Sequence, residues 1–171
     1  MRQDKERMDR MNMVRKLKLQ YQYALVEKEA EKEYQEYKKQ TLFWAGLMLY
    51  AGEGDKRTKH QIRLSNSESY IHKVFIKFAF KYMGFLEKDF RYSLVIYPDN
   101  NQEDTLSWWV KELNTKEDQF YKTTIIEGKE SVKRLQYGTC ISIISSTAQK
   151  KKLLKWLSLV QKEQFENAVI V

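Results

Sequence analysis

The residues best suited to chemistry form a short acidic turn at the end of an apolar segment. Residues 42–52 are apolar and include small side chains, and Glu53 follows them between Gly52 and Gly54. The segment reads as a helix, which places the Glu53 carboxylate at the negative end of the helix dipole, an unfavourable position. A bound cation would compensate, so Glu53 is a candidate metal ligand. The alternative is an ordinary surface carboxylate at a helix end.

One face of the same predicted helix carries residues that permit close approach of another helix. Small or flexible side chains recur there at helical spacing, at Ala45, Met48, Leu49 and Gly52. This face therefore permits close packing of another helix, and these four residues would form the interface of any dimer that pairs through it.

The N-terminal segment has a different composition. Residues 1–40 contain no Pro or Gly and are rich in good helix formers. Apolar residues recur there at helical spacing in two sets. The first set is Met8, Met11, Val14, Leu17, Tyr21 and Leu25; the second is Tyr23, Val26, Ala30, Tyr34 and Tyr37. One or two long helices are predicted, either as a solvated or coiled-coil arm or as a basic strip along a DNA backbone.

Residues 41–162 alternate between helical and strand patterns and predict a domain of the α+β class. Helices are expected over residues 42–52, 65–83, 102–113 and 147–161, and strands over 61–65, 90–97, 122–127 and 135–145, with a short strand after Gly54. A capping box at residues 65–68 is expected to start the second of these helices. Residues 163–171 are assigned to a C-terminal tail.

Strand alternation predicts a polar sheet face. Ile62 and Leu64 are expected to point to the helices, which leaves the intervening residues on the other side. The residues expected on that side are Gln61, Arg63, Ser65, Arg91 and Ser93. Arg and Gln on a sheet can read base edges in a major groove, whereas the alternative is a polar face in solvent. Residues 141–144 break the alternation, so no facing is predicted for the last strand.

Composition and net charge limit the classes of protein to which the chain can belong. The chain has 171 residues and a formal net charge of +8, which favours polyanionic partners. One Cys and two His exclude an intramolecular disulfide framework and leave little for a zinc site. No apolar run approaches a membrane span, so we expect a cytoplasmic protein without a membrane partner. The residues expected to contact phosphates are Lys129, Lys133, Arg134, Lys150, Lys151 and Lys152.

From the acidic turn onward, the sequence resembles the LAGLIDADG family of DNA-binding proteins and homing endonucleases. Residues 46–54 (GLMLYAGEG) occupy the nine-residue motif, with Glu53 on its acidic position. Similarity extends over residues 42–157 and includes the stretches LSNS at 64–67, YPD at 97–99, QFYK at 119–122 and YGTC at 137–140. In particular, the sequence looks like a bacterial branch with one motif, in which a helix-turn-helix and a long charged helix precede the domain.

The resemblance implies an αββαββα saddle with an antiparallel sheet that sits in the major groove. Two motif helices would pack across a two-fold axis, so a chain with one motif must form a homodimer. Glu53 and its symmetry mate would then bind Mg²⁺ at the scissile phosphates. Lys122 is the expected basic catalytic residue because it follows Gln119, Phe120 and Tyr121, with Lys56 and Lys129 as further candidates.

The leading prediction is therefore a site-specific, Mg²⁺-dependent endonuclease acting on double-stranded DNA as a homodimer. The alternative is a non-cleaving transcriptional regulator that uses the same saddle. A third interpretation is a small protein-binding adaptor whose basic surface is incidental.

Overall fold

The helical and strand patterns of the sequence produce a mixed α+β fold. The computed structural model describes residues 2–126 and 135–166. Its helices are α1 (Arg2–Tyr37), α2 (Thr41–Glu53), α3 (Ser69–Met83), α4 (Gln102–Leu113) and α5 (Thr147–Glu166). Its strands are β1 (Gln61–Asn66), β2 (Phe90–Ile96), β3 (Thr124–Ile125) and β4 (Thr139–Ser145). The predicted α+β class is confirmed.

The four strands form one mixed sheet in the order β1-β4-β2-β3. β4 lies antiparallel between β1 and β2, whereas β3 runs parallel to β2. The prediction of a wholly antiparallel sheet is therefore wrong at this edge. The reason is that α4 separates β2 from β3 in sequence and carries the chain back, and such a crossover connects parallel strands.

The predicted αββαββα order is wrong after α2, and the predicted start of α3 is wrong as well. The strand expected after Gly54 is reduced to a single bridge between Gly54 and Leu64, so one regular strand separates α2 from α3. The capping box expected at residues 65–68 does not form. Instead, α3 begins at Ser69, and the Asn66 side chain accepts a hydrogen bond of 2.9 Å from the backbone of Glu68.

The helices cover one side of the sheet and enclose an aromatic core. Phe43 of α2, Phe78 and Tyr82 of α3 and Trp156 of α5 lie with ring centroids within 6.2 Å of one another in five pairs. Gly46 allows α2 to approach α3 closely, because a Cβ at this position would overlap the Phe78 side chain. Gly46, the first glycine of the nine-residue motif, thus allows α2 to pack on α3 within one chain.

The C-terminal part of α1 belongs to this core. Ala30 and Tyr34 are buried, and the Trp156 indole donates a hydrogen bond of 3.0 Å to the Ala30 carbonyl. The Tyr34 hydroxyl donates one of 2.6 Å to Glu163. The division of the chain near residue 40 therefore does not coincide with a boundary in packing. Since Glu163 lies within α5, the helix also continues past the predicted end near 161 and into the predicted tail.

The N-terminal part of α1 has a different environment. Residues 4–22 are all exposed and extend from the rest of the protein, over about 28 Å at 1.5 Å per residue. In the part of the chain that the structure describes, no helix combines the length and apolar character of a membrane span.

Candidate nucleic-acid interface

The sheet side that faces away from the helices carries the predicted polar residues. Ile62 and Leu64 on β1 and Tyr92 and Leu94 on β2 are at most 2% exposed and pack in the core. Because side chains alternate along a strand, the intervening residues lie on the open side of the sheet. These residues are Gln61, Arg63, Ser65, Arg91 and Ser93, as predicted, and we call this surface the open sheet face.

The register of β4 resolves the facing that the sequence left undefined. Ile144 and Ser142 pair with Ile62 and Leu64, whose side chains are in the core, and both are buried. Ile141 and Ile143 therefore lie on the open sheet face. Ile143 pairs with Arg63 on one side and with Arg91 on the other, and Ile141 pairs in the same way with Ser65 and Ser93.

Ile143 is only 5% exposed although it lies on the open sheet face. Directly paired residues place their Cβ atoms about 5 Å apart, and the aliphatic stems of Arg side chains cover neighbouring apolar surface. We attribute the burial of Ile143 to Arg63 and Arg91. The Arg91 guanidinium donates to the carbonyls of Lys88 and Phe90 at 2.9 and 2.8 Å, which fixes its orientation at the edge of the face.

The basic surface continues past Arg91 into a shallow depression of about 540 Å³. Lys88 and Lys116 line it with Arg91, together with Leu86, Glu87, Asp118 and Gln119. The Gln119 amide is buried and donates to the carbonyls of Glu87 and Phe90, at 2.8 and 3.1 Å. Gln119 thereby connects the segment that contains Lys116 to the segment that contains Lys88. The sequence gives no direct signal for this grouping, because it depends on a contact between segments about 30 residues apart.

The three lysines of α5 that were expected to contact phosphates have partners within the chain, and two of them, Lys150 and Lys152, are buried. Lys150 is 1% exposed, and its ammonium donates to the Tyr50 hydroxyl and to the Asp55 carbonyl. Its neighbours are engaged with α1: Lys151 with Glu27 at 3.8 Å, and Lys152 with Glu29 at 3.4 Å and Glu33 at 2.8 Å. These lysines therefore connect α5 to α1, to α2 and to the loop after α2. The other predicted contacts, Lys129, Lys133 and Arg134, lie outside the described residues.

Glu53 lies exposed at the end of α2, next to the edge of the sheet. Gly54 bridges Leu64, and the Asp55 amide donates to the Arg63 carbonyl at 2.9 Å, so the acidic turn runs beside β1. The Lys56 ammonium donates to the Ala51 carbonyl at 2.5 Å, in the last turn of α2. Lys56 therefore provides a positive charge at the helix C-terminus, and a bound cation is not needed to compensate the dipole.

Asp55, the carboxylate next to Glu53, shapes the following turn. It accepts hydrogen bonds from the amides of Arg57 and Thr58 at 2.8 and 3.3 Å, and from the Thr58 hydroxyl. These bonds, above all the one from the Thr58 hydroxyl, lower the pKa of Asp55 to about 2. Asp55 is therefore committed to the loop that leads into β1.

The structure does not bring Lys122 to Glu53 within one chain. Phe120 bridges Tyr92, and the Tyr121 amide donates to the Tyr92 carbonyl at 2.8 Å, so Lys122 follows a segment on the outer side of β2. The turn that holds Glu53 lies beyond β1 at the other edge, with β4 between. Within one chain Glu53 and Lys122 therefore lie at opposite edges of the sheet, a separation that depends on strand order and cannot be read from the sequence. Of the other two candidates, Lys56 lies at the acidic turn, and Lys129 is outside the described residues.

The predicted dimer face of α2 is accessible. Met48 is 41% exposed, and a Cβ placed on Gly52 would have no atom within 4 Å, while Ala45 and Leu49 are half-buried. The opposite face of α2 is buried in the core through Phe43, Gly46, Leu47 and Tyr50. A helix that is apolar on all sides is normally covered on all sides. The outer face of α2 is thus suited to contact another apolar surface.

A metal site at the acidic turn would need more than one chain. Within residues 2–126 and 135–166, no group of three or more His, Cys, Asp or Glu side chains is arranged to hold a metal ion. The Asp55 carboxylate is occupied by its turn, which leaves Glu53 as the contribution of α2. Mg²⁺ is commonly held by one or two carboxylates together with substrate phosphates. The residues fit such an ion only when two copies and a phosphate meet.

Comparisons with family models, with curated proteins and with solved structures find no match for this chain.

Proposed function

We propose that the protein binds double-stranded DNA through its open sheet face and acts as a homodimer. The observation that carries this proposal is the register of Arg63, Ile143 and Arg91 across three adjacent strands. This register puts two Arg residues on one side of the sheet, on either side of the buried Ile143.

The dimensions of this surface suit a duplex groove. Two strand spacings separate Arg63 from Arg91, which corresponds to about 10 Å. The major groove is about 12 Å wide and admits a β-ribbon, and an Arg side chain in it can bind the O6 and N7 atoms of guanine. Gln61, Ser65 and Ser93 add donors and acceptors on the same face. Lys88 and Lys116, beyond Arg91, are placed for contacts with the phosphate backbone.

A second copy would extend the surface. If two chains pair through Ala45, Met48 and Gly52 of α2, each contributes one open sheet face, and the net charge of the pair is twice +8. Two faces related by a two-fold axis suit a DNA site with two half-sites. Pairing would also cover the outer face of α2.

Mg²⁺-dependent cleavage is a second candidate function. The observation in its favour is Glu53, which is exposed at the end of the helix that we propose to pair. Two such carboxylates would meet near the two-fold axis and hold Mg²⁺ against a phosphate. A bound Mg²⁺ ion activates water and stabilises negative charge on the phosphate. Within one chain Lys122 lies at the other edge of the sheet from Glu53, whereas Lys56, a further basic candidate, lies at the acidic turn and donates to the Ala51 carbonyl. Cleavage therefore stands as the second candidate, because it depends on a site assembled from two chains.

One experiment separates these alternatives. The purified protein is incubated with a plasmid library in Mg²⁺, and both bound DNA and any new ends are sequenced. Glu53→Gln is the test variant, and Glu103→Gln, which changes an exposed Glu of α4, is the matched control. Ends that depend on Glu53 alone support an endonuclease, and ends that persist in Glu53→Gln contradict its metal role. Binding without ends in all three proteins supports a regulator. Absence of binding at low salt would overturn the proposal.

A further inference from the structure

The open sheet face changes in character along its strands. Three rows of paired residues run across it, each two residues from the next. The arginine row is Arg63, Ile143 and Arg91, the serine row is Ser65, Ile141 and Ser93, and the valine row is Thr139, Val95 and Thr124. The arginine row carries two positive charges, whereas the serine and valine rows contain no charged side chain. Charge is therefore concentrated in one of the three rows.

Ile141 is an apolar residue in the centre of the serine row. Its neighbours along β4, Cys140 and Ser142, are fully buried, so Ile141 points to the open sheet face, where it is partly exposed. Ile143 on the same face lies between two arginines and is only 5% exposed. Ile141 lies instead between two serines, whose side chains are too short to cover it. Its apolar surface is thus available for contact.

Val95 extends this apolar surface into the valine row. It lies between Leu94 and Ile96, which are at most 1% exposed, so strand alternation directs Val95 to the open sheet face. Its partners on the adjacent strands are Thr139 and Thr124, and each of these carries a methyl group. Beyond the arginine row, the face therefore presents methyl groups of Ile, Val and Thr together with hydroxyl groups of Ser and Thr.

The distance between rows matches the spacing of base pairs. Two residues of a strand span about 6.6 Å, and successive base pairs are about 3.4 Å apart along the duplex axis. When the strands follow the major groove, each step from one row to the next corresponds to about two base pairs. A duplex with a guanine at the arginine row thus brings base pairs about two and four steps away to Ile141 and Val95.

The chemistry of the major groove indicates which base suits these side chains. Thymine presents a C5-methyl group there, and apolar side chains contact this group, whereas Arg binds the O6 and N7 atoms of guanine. Ser hydroxyls can donate to or accept from either type of base pair. Ser65 and Ser93 therefore fit beside Ile141 whichever strand of the duplex carries the thymine.

We propose that Ile141 and Val95 contact thymine methyl groups in the major groove, next to guanine bound at the arginine row. This inference rests on the proposed binding of double-stranded DNA and specifies the sequence bound. The preferred site has a G·C pair with A·T pairs about two to four base pairs away. Burial of one methyl group against an apolar side chain corresponds to roughly a fourfold gain in affinity.

Replacement of thymine by uracil tests the contact, because uracil lacks only the C5-methyl group. Two pools of random-sequence duplexes, one with thymine and one with uracil, compete for the purified protein at low salt, and the bound DNA is sequenced. We expect the thymine pool to be enriched roughly fourfold or more among the bound sequences. Those sequences should contain T about two to four base pairs from G.

Two variants locate the contact on the protein. Ile141→Ala removes most of the apolar surface of the serine row, and Ile76→Ala makes the same change at a partly buried position of α3, away from the open sheet face. We expect Ile141→Ala to bind both pools with unaltered salt dependence and to lose most of the preference for thymine, which Ile76→Ala should keep. Val95→Ser provides a second variant and should also reduce the preference. Circular dichroism checks that each protein is folded.

Three results would overturn the inference. Equal binding of the two pools by the unmodified protein would contradict the methyl contact and leave the proposed DNA binding intact. A preference for thymine that persists in both Ile141→Ala and Val95→Ser would show that the methyl groups are contacted elsewhere. Absence of binding to either pool at low salt would overturn the proposed function and this inference with it.

Discussion

Arg63 and Arg91 flank the same residue, Ile143, from the two strands on either side of β4. The three residues form one row across the sheet, on the side that the helices leave open. The proposed function rests on this row because Arg63 and Arg91 each provide a positive charge and a planar set of hydrogen-bond donors. The strands hold both residues on the same surface.

Arg63→Lys separates base reading from charge. Lys keeps the positive charge but lacks the planar fork that binds two acceptors of guanine. We expect affinity for random duplex DNA to stay within about twofold of the unmodified protein and discrimination between sites to fall by about 1–3 kcal/mol. Selection of bound sequences from a random library measures the discrimination. Unchanged sequence preference would show that Arg63 contacts phosphates alone.

Substitution by Ala is expected to affect stability differently at Gly46 and at Gly52, the two glycines of α2. Gly46→Ala forces a methyl group into Phe78 of α3, and we expect a loss of about 1–3 kcal/mol in the free energy of unfolding. Gly52→Ala meets no atom within 4 Å, and Ala is the better helix former, so stability should be unchanged or rise by up to about 1 kcal/mol. Urea unfolding of both variants measures the difference. Similar losses at the two sites would contradict the packing of Gly46 on α3.

The alternation over residues 61–65 of β1 and 90–93 of β2 is readable from the sequence because each buried residue there is followed by a polar one. Residues 141–144 give no such pattern. Ile143 lies on the open sheet face between Arg63 and Arg91, whose strands come from residues about 80 and 50 positions earlier in the chain. A local pattern cannot contain this information.

The three lysines at the start of α5 illustrate the same limit. A run of Lys150, Lys151 and Lys152 resembles a solvated basic surface, yet their partners are Tyr50, Asp55 and the glutamates of α1. Those partners lie about 95 or more residues away. Glu53 and Lys122 are both exposed, but the order of strands in the sheet places them at opposite edges of the sheet within one chain.

Lys150 and its neighbour Lys151 form a second matched pair. Lys150→Met would leave the Tyr50 hydroxyl and the Asp55 carbonyl without the buried ammonium, and we expect a loss of about 1–3 kcal/mol in the free energy of unfolding. Lys151→Met removes a partly exposed ion pair with Glu27 and should cost less than about 1 kcal/mol.

A double-mutant cycle completes this test. If Lys150 acts partly through the Tyr50 hydroxyl, the losses from Lys150→Met and Tyr50→Phe should not add. Additive losses would contradict a direct contact between the two side chains.

His72 makes stability depend on pH. It is buried, and its ring nitrogens contact the Ser142 hydroxyl at 2.8 Å and the Asn66 carbonyl at 3.1 Å. Burial lowers the pKa of His72 to about 4. As pH falls below about 6.5, the unfolded chain binds a proton that the folded protein excludes. The stabilisation that comes from keeping His72 neutral is therefore complete above pH 6.5 and is lost as the pH falls towards 4. At pH 5 the free energy of unfolding is lower by about 2 kcal/mol for this reason.

Unfolding in urea at pH 7.5 and pH 5 measures this loss. His72→Gln should be less stable at pH 7.5 but should lose less stability on acidification, whereas His60→Gln, at the other histidine of the chain, should behave as the unmodified protein does. An unaltered pH dependence in His72→Gln would contradict the assignment.

The central claim, that the open sheet face binds duplex DNA, is tested most directly by the salt dependence of affinity. Equilibrium binding to a random duplex is measured over a range of salt concentrations for the unmodified protein, for Arg63→Ala combined with Arg91→Ala, and for Lys77→Ala on the exposed side of α3. The account predicts tight, salt-dependent binding that the double substitution weakens by about 2 kcal/mol or more, and a near-normal Lys77→Ala. Equal binding by all three proteins, or no binding at low salt, would contradict it.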